Sequence, residues 1–247
     1  MKAMILAAGL GTRLRPLTDS RPKALMEVGG RTLLEITLSR LRESGVTEVI
    51  VNVHHHAQMV IDYLLANSNF GMRVEISRED DLLLDTGGGL KKAAWFFLES
   101  SKAIDEPFIL HNVDVITNID LSRVVEFHCQ RKPLATLAVQ KRESSRQLLF
   151  DHGMSLCGRR IHGRSDELVF PSAIVHPLAF SGMHVIEPRL LRMITENGVF
   201  SIIDVYLRLA ADGQLIKGFP ADEYYWRDVG RLEDLRLANE DAAAKLR

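Results

Sequence analysis

An apolar run near the start of the chain, Ala3 to Ala8, breaks at once into a loop with glycines at 9 and 11, arginines at 13 and 15, prolines at 16 and 22 and a lysine at 23. The run reads as a buried strand, and a strand that ends in glycines and cations opens onto an anion site. Alternating glycines let backbone N–H groups crowd around a phosphate, because no Cβ blocks the approach. Arg13 and Lys23 add full positive charge where a polyphosphate needs neutralising. Two common nucleotide loops fail on spacing: G-x-G-x-x-G would need glycine at Leu14, and G-x-x-x-x-G-K-[ST] is absent. Leu14 and the proline-lysine end of the loop also argue against a nicotinamide-dependent dehydrogenase.

Downstream, strand-like and helix-like patterns alternate, which predicts a mostly parallel sheet covered on both faces. Leu33, Leu34, Ile36, Leu38 and Leu41 lie at helical spacing, and Gly45 supplies a stop. Glu48–Val53, Met72–Ile76 and Pro107–Leu110 read as strands, and Met59–Leu65 and Leu90–Leu98 as helices. The second half predicts strands at Leu134–Val139, Leu148–Phe150, Ser155–Cys157 and Phe180–Val185, then helices at Pro188–Glu196, Ile202–Ala210 and Leu232–Ala244. The polar stretch Arg159–Glu167 reads as an exposed excursion over the site. No linker, repeat or low-complexity tract divides the chain.

Of 247 residues, 46% are hydrophobic, enough for a sizeable core, and the net charge of −1 gives no support to a nucleic-acid or membrane patch. The two cysteines, Cys129 and Cys157, indicate no disulfide framework and read as buried filler, which fits a reducing cytoplasm. The first apolar run is too short for a signal peptide and leads into charge, and no segment has transmembrane length.

Alone, Asp114 after a strand and Asp228 before Gly230 are each commonplace turn residues. In open α/β sheets, however, ligands bind at the carboxyl ends of strands, where Asp114 falls, and Mg²⁺ is held by one or two carboxylates plus substrate phosphates. His54, His55 and His56 do not make a metal site, because consecutive residues at a strand end point to opposite faces. Arg15 and Arg21 read as solvated loop charges.

Over fifteen positions the chain reads G-x-G-T-R-x-R-P-L-T-x-x-x-P-K from Gly9 to Lys23. That stretch resembles the signature of the sugar-1-phosphate nucleotidyltransferases. Thr86-Gly87-Gly88 resembles the family's second glycine turn, which closes over the base. Asn112-Val113-Asp114-Val115 resembles its strand-end aspartate motif, and Tyr225-Trp226-Arg227-Asp228-Val229-Gly230 its second aspartate motif. The resemblance implies a Rossmann-like α/β three-layer sandwich with a mixed, mostly parallel central sheet. It also implies a single domain over 1–247, with 1–120 mainly binding nucleotide and 121–247 mainly binding sugar.

The implied chemistry is attack of a sugar 1-phosphate oxygen on the α-phosphorus of a nucleoside triphosphate, with pyrophosphate leaving. The nucleophile is already anionic, so alignment and charge neutralisation suffice. By the resemblance, Gly11, Thr12 and Arg13 hold the departing pyrophosphate. Lys23 bridges the two reacting phosphates, Asp114 and Asp228 hold Mg²⁺, and Ala8, Gly9, Thr86, Gly87 and Gly88 frame the base. Asn112, Ser181 and Gly182 face the sugar. Three departures stand out: Val113 replaces a usual glycine, the sugar-holding Glu-Lys-Pro is missing between Ser144 and Ser181, and the chain ends soon after the Asp228 region.

The compact form most resembles the short uridylyltransferases acting on N-acetylmuramate 1-phosphate, with Phe180-Ser181-Gly182 as a shared segment. Mannose- or heptose-1-phosphate guanylyltransferases are the competing assignment, and a non-catalytic NDP-sugar-binding regulatory subunit is the alternative of another class. Retention of Arg13, Lys23, Asp114 and Asp228 favours an enzyme. In the uridylyltransferase reading, Arg159, Arg160 and Arg164 meet an acidic sugar substituent. The expected partners are a nucleoside triphosphate and a sugar 1-phosphate in the cytoplasm, with no nucleic acid or membrane; a homo-oligomer is left open.

Overall fold

A computed structural model describes residues 1–99, 106–171 and 174–245. The first half contains strands β1 (Lys2–Leu6), β2 (Glu27–Val28) and β3 (Arg31–Thr32), helix α1 (Leu33–Glu43), β4 (Glu48–Val53), α2 (Ala57–Ala66) and β5 (Arg73–Arg78). Then come α3 (Asp85–Lys92), α4 (Ala94–Leu98), β6 (Phe108–Asn112), β7 (Val115–Thr117) and α5 (Leu121–Arg131). The second half contains β8 (Ala135–Gln140), β9 (Arg146–Phe150), β10 (Leu156–Ile161), β11 (Glu167–Leu168) and β12 (His176–Ile186). It closes with α6 (Ile202–Ala211), β13 (Ile216–Pro220), β14 (Trp226–Asp228) and α7 (Leu232–Lys245).

Ten strands form one sheet in the order β11-β10-β9-β12-β6-β1-β4-β5, with β8 on β12 and β13 on β8. The block β6-β1-β4-β5 is parallel, β12 runs against β6, β8 and β9, and β10 runs against β9 and β11. Only β12 and β10 therefore oppose the common direction. Alternation along the strands sends Ala3, Ile5, Val49 and Val51 to one face, under α1, α2 and α5. Met4, Ile50, Phe108 and Leu110 point to the other face, under α3, α4 and α6. The two buried faces make a three-layer sandwich.

Local chemistry sets the helix ends. Thr32 caps α1 by accepting from Glu35 N at 3.0 Å, and Gly45 closes it at φ +81°. Asp120 caps α5 and Ser201 caps α6 in the same manner.

Four sequence expectations change. Arg159–Glu167 is no free excursion, because β10 and β11 pair as a hairpin in which Arg159 and Arg160 are tied to Glu167 and Asp166. Thr86-Gly87-Gly88 is no turn but the first turn of α3, since Phe200 O takes the N–H groups of Gly87 (2.9 Å) and Gly88 (3.3 Å). Pro188–Glu196 shortens to a 3-10 turn over Pro188–Met193, started by the three-residue bond from Leu190 N to Glu187 O at 2.9 Å. Cys129 is exposed on α5, whereas Cys157 is buried as expected.

Candidate active site

The loop after β1 is wound into three 3-10 turns, Thr12–Leu14, Leu17–Asp19 and Lys23–Leu25. Gly11, at φ +64°, makes the first possible: its carbonyl accepts from Leu14 N at 2.8 Å and from Thr18 Oγ1 at 2.9 Å. A Cβ there would lie 2.8 Å from Thr18 Cγ2, so only glycine fits. Buried Leu14 pins the turn to the core, leaving Thr12 and Arg13 exposed. Arg15 and Arg21 are indeed surface charges, paired with Asp19 and Glu27.

The last turn buries Lys23, whose side chain is 8% exposed and whose Nζ lies 2.5 Å from Asp114 Oδ2. Lys23 is thus a packed, ion-paired side chain. Asp114 and Asp228 meet because β14 pairs antiparallel with β7, placing Asp228 opposite Val115, while Val229 N donates to Asp114 O at 2.8 Å. Burial first, then the charge of Asp114, pushes the Asp228 carboxyl above the usual range, and Lys23 and Arg13 oppose the rise. Asp228 Oδ1 is buried without a hydrogen-bond partner among the described residues. Two like-charged carboxylates, one with an unsatisfied oxygen, suit a divalent cation that completes its shell with phosphate and water. No group of three or more His, Cys, Asp or Glu side chains is placed to hold a metal ion among the described residues.

Gly230 closes this corner. A Cβ on it would lie 3.0 Å from Arg13 Nη2 and 3.1 Å from each Asp228 oxygen. Gly230→Ala is expected to displace the guanidinium or the carboxylate and lower kcat/KM by on the order of 10- to 100-fold. Wild-type kinetics in that variant would show that the two groups tolerate movement.

Two cavities meet at Asn112 and Asp114, which line both. The smaller, about 350 Å³, is lined by Leu6, Ala8, Gly9, Asn52, Thr86 and Val199 among others. The larger, about 670 Å³, is lined by Arg13, Asp228, Gly182, Trp226 and five further arginines: Arg142, Arg146, Arg159, Arg160 and Arg164. Gly9 has nothing within 4 Å of its Cβ position, leaving its backbone open to a ligand. Gly11, Thr12, Gly87, Gly88 and Ser181 line neither cavity. Gly87 instead lets Phe200 pack close, a Cβ there falling 2.5 Å from its ring, and Thr86 Oγ1 accepts from Ile202 N at 3.0 Å. Val113 is buried and lines neither cavity, so its replacement of glycine does not narrow them.

Sequence reading missed the support of the smaller cavity. Asn52 Oδ1 accepts from Ala7 N at 2.7 Å, its Nδ2 donates to Glu79 Oε1 at 2.7 Å, and Glu79 Oε2 accepts from Leu84 N at 2.8 Å. This buried chain ties the ends of β1 and β4 to the entry of α3. A lone asparagine in the apolar run Glu48–Val53 was its only signal. Of the three histidines, His54 turns away, its Nδ1 meeting the Glu79 carbonyl, while the His55 and His56 rings lie 3.8 Å apart and His56 Nε2 meets the Asp19 carbonyl at 3.1 Å.

Residues 2–148 match the nucleotidyl transferase family. The N-acetylmuramate alpha-1-phosphate uridylyltransferase of Caulobacter vibrioides is 34% identical over 238 residues, covering 92% of this chain and 91% of its own. The mannose-1-phosphate guanyltransferase of Emericella nidulans is 30% identical over 236 residues, 95% of this chain and 62% of its own. In fold, the chain resembles UDP-glucose pyrophosphorylase complexed with UDP-glucose, with a TM-score of 0.78 at 17% identity and coverage of 100% and 99%. The chain belongs to the nucleotidyl transferase family and is an enzyme of its sugar-1-phosphate class.

Proposed function

We propose that the enzyme transfers a uridylyl group from UTP to an N-acetylmuramate-type sugar 1-phosphate, using Mg²⁺, in the cytoplasmic synthesis of a cell-envelope nucleotide sugar. The observation that carries the reaction is the convergence of Lys23, Asp228 and Arg13 around Asp114, which lines both cavities, while Arg13 and Asp228 line the larger one and Lys23 lies buried behind Asp114. The choice of UTP and of an acidic sugar rests on the Caulobacter relative, and the arginine-lined larger cavity supports it.

In this reading, the nucleotide enters the smaller cavity with its base against Ala8, Gly9 and Thr86, and the sugar occupies the larger one near Asn112 and Gly182. Asp114 and Asp228 would hold the cation, which supplies positive charge to the phosphates undergoing exchange. Lys23 gives up its contact with Asp114 to reach the α-phosphate and the attacking sugar phosphate, and Arg13 neutralises the leaving pyrophosphate. The sugar phosphate oxygen forms the new bond to the α-phosphorus, and the bond from that phosphorus to the bridging oxygen of the β-phosphate breaks. The nucleophile carries no proton to remove, so no general base takes part. Arg159 is held by Glu167 and Asp204, and Arg160 by Asp166. Among the three hairpin arginines, Arg164 is left as the contact for an acidic substituent.

The test is pyrophosphate release from UTP, GTP, CTP, dTTP and ATP against a panel of sugar 1-phosphates. UTP with N-acetylmuramate 1-phosphate is expected to give the highest kcat/KM, and excess chelator to stop release. Preference for GTP with mannose 1-phosphate would move the assignment to the guanylyltransferases. NDP-sugar binding without release from any pair would make the chain a regulatory subunit.

A further inference from the structure

The larger cavity contains one arginine that differs physically from the rest. Arg142 follows β8 and is half-buried. Its guanidinium lies 3.5 Å over the Trp226 ring, and its Nη2 donates to Phe180 O at 2.7 Å. Its Nε is buried with no partner, and no carboxylate lies within ion-pair distance of it among the described residues. Arg159 pairs with Glu167 and Asp204 and Arg160 with Asp166, whereas Arg13, Arg146 and Arg164 line the cavity unpaired but exposed, so among the described residues Arg142 is the unpaired cavity arginine that is also half-buried and stacked on a ring. Burial outweighs the attraction of Asp228, the carboxylate that acts on Arg142 across the cavity, so the half-buried cation is costly unless an anionic ligand adds to that charge.

The surroundings hold this cation still. Gln140 Nε2 donates to Ala221 O and Tyr224 O at 2.7 and 2.9 Å, and Lys141 N donates to Asp222 Oδ1 at 2.6 Å, clamping the end of β8 to the segment before β14. Trp226 Nε1 donates to Ser181 O at 2.8 Å, fixing the ring on which Arg142 lies. Trp226 and Asp228 are two apart on β14 and so share a face. Arg142 and the Asp228 carboxylate therefore border the same cavity, and each carries an unpartnered buried polar atom.

We propose that Arg142, stacked on Trp226, binds the phosphate of the sugar 1-phosphate, and that Trp226 senses its arrival; this rests on the nucleotidyl-transfer reading above. Arginine suits the role because its planar fork can stack on an aromatic ring while presenting edge donors to phosphate oxygens. Lys23 and Arg13, by contrast, belong to the loop after β1, with Lys23 buried against Asp114 and Arg13 exposed at the edge of the same cavity.

The test uses the full chain. Arg142→Met is expected to raise KM for the sugar 1-phosphate by about tenfold or more, the loss that follows removal of a charge-assisted hydrogen bond, with KM for the nucleotide changed by less than about twofold. Arg142→Lys, which keeps the charge but not the fork, is expected to recover part of the loss. Trp95→Phe, at an exposed position on α4, leaves Trp226 as the single tryptophan. In that background, Trp226 fluorescence is expected to shift with glucose 1-phosphate or N-acetylmuramate 1-phosphate in the presence of UDP, and not with the free sugars. The shift is expected to disappear on adding Arg142→Met. An unchanged KM for the sugar 1-phosphate, an equal rise in both KM values, or a shift that persists in the Arg142→Met protein would overturn the proposal. If Arg142→Met does not fold, Arg142→Lys kinetics and the wild-type Arg142 titration decide. Should no pair release pyrophosphate, the transfer reading fails while the fluorescence titration still answers for Arg142.

Discussion

Asp228→Asn is expected to lose turnover and gain stability at once. On the proposed function the substitution removes one of the two carboxylates that would hold the cation, so kcat should fall by on the order of 10²-fold or more. Burial and the neighbouring Asp114 raise the Asp228 carboxyl in the folded protein, which means the fold disfavours its charged form. An acid raised in this way contributes least to stability above its folded value, and the penalty is relieved as pH falls through that value. At neutral pH the neutral amide escapes the penalty, so the melting temperature should rise. Asp114→Asn should damage turnover equally but move stability the other way. It strands the Lys23 ammonium, whose side chain is 8% exposed, without its partner. A loss of about 1–3 kcal/mol is expected, below that of a fully buried pair because Asp114 is 27% exposed. Activity, melting temperature and chelator sensitivity measured on both variants check this. A drop in stability for Asp228→Asn, or full activity in either variant, would refute the assignment.

Lys23→Ala should lower kcat/KM by on the order of 10²- to 10³-fold, the scale seen when one fixed donor to a developing phosphate charge is deleted. It should also lower the melting temperature, since it leaves Asp114 and Asp228 facing each other without the ammonium between them. Millimolar Mg²⁺ should restore more of the melting temperature in this variant than in the wild type, because the ion then supplies the missing positive charge. An unchanged melting temperature with or without Mg²⁺ would show that the ion pair contributes nothing to the fold.

The residues that carry charge in a fixed motif were legible in the sequence. Arg13, Lys23, Asp114 and Asp228 are separated by up to 215 positions, the span from 13 to 228, yet each sits in a recognisable local pattern, and the fold brings the four to one corner. The sheet and its helices were legible in outline, since Glu48–Val53 is a nearly continuous apolar run and Ile202–Ala211 carries apolar residues at helical spacing. Pairwise relations had no local signal. Nothing near Lys23 announces that Asp114 will take its ammonium, and nothing near Arg159 announces Glu167 and Asp204 as partners. Thr86-Gly87-Gly88 was misread because glycines that usually mark a turn serve here to admit the Phe200 ring beside a helix. Arg142 belongs to no motif. Its distinction comes from a stacked ring 84 positions away, 226 against 142, and from a buried Nε without a hydrogen-bond partner among the described residues.

Asn112 and Asp114 form a common wall for both cavities, so the two are separated by no more than the end of one strand. A small molecule bridging that wall would need only a short tether. Joining a fragment for the Ala8 side to an anionic fragment for the arginine side would make the second contact intramolecular. Such a tether can multiply affinity by about 10²- to 10⁴-fold over either fragment. The linker would have to cross directly above Asp114, where the cation of the proposed reaction would favour a diphosphate or another anionic bridge. For inhibitor chemistry, the narrowness of this partition matters more than the volume of either chamber.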